Sequence, residues 1–403
     1  MNELGRVSIP LLLLLLSACS APRDDDSIDR AGGASQVGSG TQNGGAGTTR
    51  PGTGGSTATS MGNAGSGGAP ASVGGNAGGV SATGGVSNGG GSAGDPSLPP
   101  AEACAFPHSK LIDVKTAQDL NSALSSAVPG SMIRLADAEF VGAFSSDKSG
   151  DAQNPIVLCG SRGATLRSSG SSTVFGLKGD YWVLSGFSIT GGQKGILLDG
   201  ANHNLFTGLA VHGIGNEGVH FRANSSDNTF EWSELFDTGN QSSEFGEGVY
   251  IGSAASQWEK FTGSPNTPDR SDRNVVRNNK LGPNVRAEHI DVKEGTSGGL
   301  IQHNHFDGAG MVSDGFADSW VDVKGNDYSL TDNQGAGSPA DGFQVHVVKD
   351  GWGNDNVFRR NAAKVNASGY GFNISNNASG TVVGCENVVT GAGKGLANVA
   401  CQN

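Results

Sequence analysis

Seven short segments of this 403-residue chain can be laid over one another, and no other feature restricts its fold as tightly. They are KGILLD (194–199), EGVHFR (217–222), EGVYIG (247–252), EHIDVK (288–293), SWVDVK (319–324), DGFQVH (341–346) and YGFNIS (370–375). Their starts lie 23, 30, 41, 31, 22 and 29 residues apart, and a less regular copy, KGLANV, begins at Lys394. Positions 3 and 5 are apolar in every one of the seven, from Ile196 and Leu198 to Phe372 and Ile374. An apolar residue at every second place is the pattern of a strand with one buried face.

A second column accompanies the first. Asn279, Asn304, Asn333 and Asn361 fall at comparable turn positions, where stacked amides can bond from one coil to the next. Repeats near 22–31 residues, each with short strands, polar turns and a stacked asparagine, predict an all-β fold, a right-handed parallel β-helix over 104–403. A propeller would need blades of about 40 residues. The 67 glycines follow no Gly-X-Y period, which excludes collagen, and inside the domain they disfavour long helices. One helix is expected at 113–126, with Thr116 as N-cap and Leu120 and Leu124 facing the core as an N-terminal cap. The stretch 253–287, with Trp258 and Phe261, is expected to project from the wall as a loop.

Twenty-four of the glycines crowd into 31–95, within a segment (20–103) that has almost no large apolar residues and is expected to be a disordered tether. Before it, Arg6 and the apolar run Val7 to Leu16 form an export signal (1–19) ending in Leu16-Ser17-Ala18-Cys19. That ending resembles the lipobox of bacterial lipoproteins, which implies lipidation of Cys19 and an outer-membrane or surface address, or a secreted protein. Ser20 follows where an aspartate would favour retention at the inner membrane. Four cysteines remain in an oxidising compartment, and the expected bridges are Cys104–Cys159 and Cys385–Cys401, one of three possible pairings. The domain has 22 basic and 31 acidic residues, a net charge of −9, which argues against nucleic acid and against membrane contact other than through the lipid. A monomer is expected.

Strict alternation sends positions 2, 4 and 6 outward. That strip reads His220 and Arg222, then Tyr250, then His289, Asp291 and Lys293, then Trp320, Asp322 and Lys324, then Gln344 and His346. Position 1 adds Glu217, Glu247, Glu288 and Asp341 along one rim. Coils stack about 4.8 Å apart, so Asp291 should lie over Asp322 and Lys293 over Lys324. Two stacked pairs of like charge call for compensation by a cation, a substrate or mutual pairing.

The segment EHIDVKEGTSGGLIQHNHFDG (288–308) resembles the central coil of β-helical polysaccharide lyases, notably the alginate lyase and chondroitinase B family, and the likeness extends to pectate lyases of this fold. In that family a glutamate precedes the catalytic lysine by five residues, as Glu288 precedes Lys293. Its partner arginine corresponds to Lys324, and a second calcium-ligating glutamate would fall at Arg286, where that ligand is missing. The resemblance implies β-elimination on an acidic, uronate-containing polysaccharide. Removal of the C5 proton requires neutralisation of the adjacent carboxylate, by calcium on Glu288, Asp291 or Asp322, or by a cationic cluster. Lys293 is the expected base, its pKa lowered by Lys324, with Lys324, Arg222 or His346 assisting neutralisation or protonating the leaving group. Tyr250 and Trp320 are expected to stack on sugar rings, with His220, His289 and Gln344 as further substrate contacts. Two other readings use the same strip: a glycoside hydrolase with Asp291 and Asp322 as its acid/base pair, and a non-catalytic carbohydrate-binding or adhesive solenoid.

Overall fold

The computed structural model describes residues 103–312 and 317–403. The export signal, Cys19 and the tether up to residue 102 lie outside the described residues. Within the described chain the first strand pairs with the second, and from Ser131–Leu135 onward each strand pairs in parallel with the strand three further on. The result is three sheets, of eleven, ten and ten strands, stacked coil upon coil. This is a parallel β-solenoid, as the repeat predicts.

Register follows the two apolar columns. Ile196, Val219, Val249, Ile290, Val321, Phe343 and Phe372 are consecutive partners, and the position-5 residues from Leu198 to Ile374 run beside them. All are buried, and aromatic side chains fill the lumen, with Phe343 stacked on Phe372 at 5.1 Å. Each such side chain contributes roughly 1.5–3 kcal/mol by leaving water. The eighth copy departs from its expected register. Tyr370 pairs with Gly395 rather than Lys394, although a one-residue slip between Lys364 and Ala367 in the preceding sheet has already shortened the offset between coils from 26 to 25 residues.

The amide column forms as expected. Each Nδ2 donates to the next Oδ1, from Asn279 to Asn304, Asn333, Asn361 and then Asn387, at 3.0–3.1 Å. A second ladder of the same kind, Asn204–Asn228–Asn274, stands at another corner. Before every asparagine of the two ladders except Asn387, the preceding residue takes the left-handed conformation that turns the chain, as His203, Asp227, His303 and Asp332 do.

The helix begins later than the sequence suggests, at Ala117–Ser126. Asp113 and Val114 belong instead to the strand Lys110–Val114, paired with Ser131–Leu135. Thr116 caps it by accepting from the Asp119 N–H, and Leu120 and Leu124 close the lumen. The disulfides are Cys104–Cys159 and Cys385–Cys401, one at each end of the solenoid. The stretch 253–287 is only partly a loop. It contains the short helix Trp258–Thr262 and two ordinary wall strands, Val275–Arg277 and Lys280–Leu281. The loop part is fixed by buried Asp269, which accepts from the Ala223 and Asn224 amides and from the Ser253 and Ser271 hydroxyls.

Candidate active site

Alternation along the repeated strand breaks at its first two positions, where the chain turns a corner. Position 2 faces the core there, and position 1 joins positions 4 and 6 on the outer face. Glycine fills position 2 in most coils because a side chain would collide: a Cβ on Gly218 would lie 2.7 Å from Leu235. The two exceptions are matched by glycines opposite. A Cβ on Gly335 would lie 2.6 Å from the Trp320 ring, and one on Gly282 would lie 2.9 Å from the His289 imidazole.

Trp320 and His289 are therefore core residues, contrary to the expectation that they face a substrate. Trp320 stacks on Phe306 and donates its indole N–H to Gly337 O. His289 pairs through Nε2 with the Asp307 carbonyl at 3.0 Å, and burial lowers its pKa to about 4. It stays a neutral imidazole at ordinary pH.

On the outer face the expected stacking is present: Asp291 is the register partner of Asp322. The charges do not stack like over like, however. Lys293 Nζ lies 2.9 Å from Asp291 Oδ2, and Lys324 Nζ lies 2.7 Å from both Asp291 Oδ1 and Asp322 Oδ2. His346 Nδ1 lies 2.8 Å from Asp322 Oδ1. The result is a zigzag, Lys293–Asp291–Lys324–Asp322–His346, in which Lys293 and both aspartates are buried, Lys324 is 12% exposed and the His346 side chain is 44% exposed.

This geometry corrects one electrostatic expectation. The Asp291 carboxylate sits between the two ammonium groups, so the expected like-charge contact between Lys293 and Lys324 is not made. For Lys324, burial favours the neutral form, but Asp291 and Asp322 outweigh it and hold the pKa well above the ordinary value. Lys324 is a fixed cation. Burial alone would raise both aspartates; Lys293 and Lys324 reverse this at Asp291, and His346 and Lys324 at Asp322, leaving both lowered. His346 is raised, chiefly by the Asp322 charge. At the far end burial and the Asp322 charge raise Asp318.

The expected metal ligands do not come together as a set. Glu288 and Asp291 do, but the third carboxylate is that of Glu247, from the coil before; the three bring oxygens within 4.8 Å of one another. Asp322 is engaged by Lys324 and His346 instead. Three buried carboxylates without nitrogen or sulfur suit a hard cation such as calcium. Asp291 would then share its oxygens between the cation and two lysines.

Arg222 stands two coils from Lys293. Its Nε donates to Asp199 at 2.6 Å and its guanidinium is covered by the Phe261 ring at 4.4 Å, so it does not belong to the charged zigzag. Tyr250 does adjoin it: its ring centroid is 4.9 Å from Lys293 Nζ and 4.5 Å from the His220 ring. Gln344 donates to Asp341 Oδ2 at 2.9 Å, and Asn373 from the next coil donates to the same oxygen at 2.8 Å. Beyond position 6 lie the 253–273 loop and residues 347–353. These touch where Lys349 lies over Trp258 at 5.2 Å and Arg270 over Trp352 at 5.7 Å.

No family model matches the sequence, and no curated protein does. Among solved structures, the alginate lyase from Paenibacillus sp. str. FPU-7 superimposes with a TM-score of 0.67 and 38% identity, over 72% of this chain and 98% of that one. Pectate lyase Pel9A matches at 15% identity and a TM-score of 0.49, over 74% of this chain and 80% of that one. The alginate lyase AlyGC, of the PL6 family, matches at 16% and 0.42, over 68% and 40%. On the strength of the first match, which spans nearly the whole of its partner, this chain belongs to the family of β-solenoid polysaccharide lyases that includes the Paenibacillus alginate lyase.

Proposed function

We propose that the chain cleaves a uronate-containing polysaccharide by β-elimination in the groove over Tyr250, Asp291 and Asp322, and that alginate, the substrate named for its Paenibacillus relative, is the first to test. The observation that carries this reading is the zigzag of two lysines, two aspartates and a histidine on one face of a lyase fold. In the reaction the C5–H bond breaks and its proton passes to Lys293 in its free-amine form. The electron pair forms the C4–C5 double bond, the C4–O4 bond breaks, and O4 takes a proton. Lys324, held cationic by two carboxylates, faces the uronate carboxylate and stabilises the charge that develops there. His346, half-exposed and kept protonated by Asp322, is the proton donor to O4. Gln344 and Tyr250 contact the sugar.

Calcium, if bound, would sit on Glu247, Glu288 and Asp291 and would supply further neutralisation of the uronate carboxylate. A chelator added to the purified enzyme tests this: unchanged rates and melting temperature would remove the cation from the account. The hydrolase alternative finds less support, because both of its carboxyl groups are ionised and bonded to lysines, whereas inverting and retaining hydrolases each need one protonated acid.

At the other end of the chain, the lipobox at Cys19 and the tether to residue 103 support an envelope-anchored enzyme reaching outward to its polymer. Among the described residues no helix is long and apolar enough to cross a membrane. Ultraviolet absorbance of unsaturated uronate, followed on alginate, pectate, glucuronan and a glycosaminoglycan, tests the reaction. New reducing ends without that absorbance would mean hydrolysis, and retention of polymer without cleavage would mean binding alone. Lys364, on a different sheet, is the suitable control substitution; Lys349 is not, because it lies over Trp258 in the loop beyond position 6.

A further inference from the structure

We propose that His220 is a positioning residue for Lys293, an inference that rests on the elimination reading above. His220 is only 3% exposed. Nε2 lies 3.0 Å from the Gly252 carbonyl, which can only accept, so this nitrogen carries a hydrogen. Nδ1 faces Glu217 Oε1 at 3.6 Å, and the same oxygen takes a 2.6 Å bond from the buried ammonium of Lys194.

Two of His220's neighbours bear on Lys293. The ring meets Tyr250 edge to face at 4.5 Å, and the Tyr250 ring lies 4.9 Å from Lys293 Nζ. Gly252, whose carbonyl His220 holds, lies beneath Lys293. Its φ is +87°, and a Cβ there would be 3.4 Å from the Lys293 Cβ and 2.5 Å from Thr296. One imidazole thus fixes the aromatic ring beside the lysine and the backbone under it. Proton abstraction tolerates little displacement of the base, and a shift of about 1 Å costs on the order of 100-fold. Its buried donor, already used, leaves His220 no role as a sugar contact, which was the expectation from sequence.

The test uses the full-length chain, with alginate as substrate if the wild type cleaves it and otherwise the uronan it does cleave. His220→Leu, His220→Gln and His220→Asn are compared with Lys293→Ala for kcat, KM and melting temperature. The Leu variant should lose about 100-fold in kcat with KM within about threefold. The glutamine amide nitrogen reaches the place of Nε2, so His220→Gln should recover to within about fivefold of wild type. Asparagine is too short for that bond and should remain as poor as leucine. Should leucine fail to fold, the Gln and Asn variants decide. A rise in KM with kcat preserved would overturn the proposal in favour of a substrate contact. So would full activity in the Leu or Asn variant, or a folded Gln variant as inactive as Lys293→Ala. An active Lys293→Ala, or a wild type that yields no unsaturated product from any uronan, would instead overturn the elimination reading, and the role of His220 with it.

Discussion

Two columns of polar side chains climb this solenoid at the same coil spacing. The asparagine column from Asn279 to Asn387 repeats one residue, because an amide is both donor and acceptor and so satisfies its neighbour above and below. The column from Lys293 to His346 cannot repeat one residue, since identical charges at that spacing repel. It alternates signs along a diagonal, each cation bonded to the carboxylate of its own coil or of the coil before. The first column is a closed structural device. The second is buried, charged and ends at a half-exposed histidine, an arrangement costly to maintain unless charge is used there.

Removing one group from each column should separate the two roles. Asp291→Asn leaves two buried ammonium groups facing a neutral amide, and is expected to cost about 3–5 kcal/mol in stability and nearly all activity. Denaturant unfolding and the absorbance assay read both. An intermediate effect belongs to His289, buried in the core beside Phe306. Its folded pKa of about 4 is below its ordinary value, so the unfolded chain binds the proton more readily. Stability is then complete above about pH 6.5 and falls as pH drops towards 4, by about 3 kcal/mol. His346, raised by Asp322, contributes in the opposite sense: its share is present at low pH and is lost as pH rises through its raised pKa. His289→Gln should flatten the acid slope while leaving the His346 contribution intact. The smallest change is expected from Asn333→Ala, which strips one rung from the amide column: about 1–3 kcal/mol of stability, with kcat within about twofold. A larger loss of activity than of stability there would blur the contrast.

How much of this was legible beforehand follows from the same physics. Positions 3 and 5 could be read because a strand enforces a period of two, and the amide column because one residue type recurs. The four cysteines paired as expected because they cluster near the two ends of the domain. The corner was not legible. Glycine at position 2 conceals which way a side chain points, so alternation alone sends His289 and Trp320 outside and does not bring the rim carboxylates Glu247 and Glu288 against Asp291. The partners of the lysines were also hidden, since stacking order fixes which residues are near but not which oxygen each ammonium takes. The Asn204–Asn228–Asn274 ladder does carry a sequence signal: in HNL, DNT and RNV an asparagine stands directly before a wall strand.

The central claim is that the charged column performs an elimination and Lys293 takes the proton. It is tested most directly by incubating the full-length protein and its Lys293→Ala variant with alginate and recording unsaturated product beside the melting temperature of each. The account predicts product from the wild type, a loss of about 10²–10⁴-fold in the variant, and a variant that remains folded. Equal rates from the two proteins, or reducing ends formed by the wild type without ultraviolet absorbance, would contradict it.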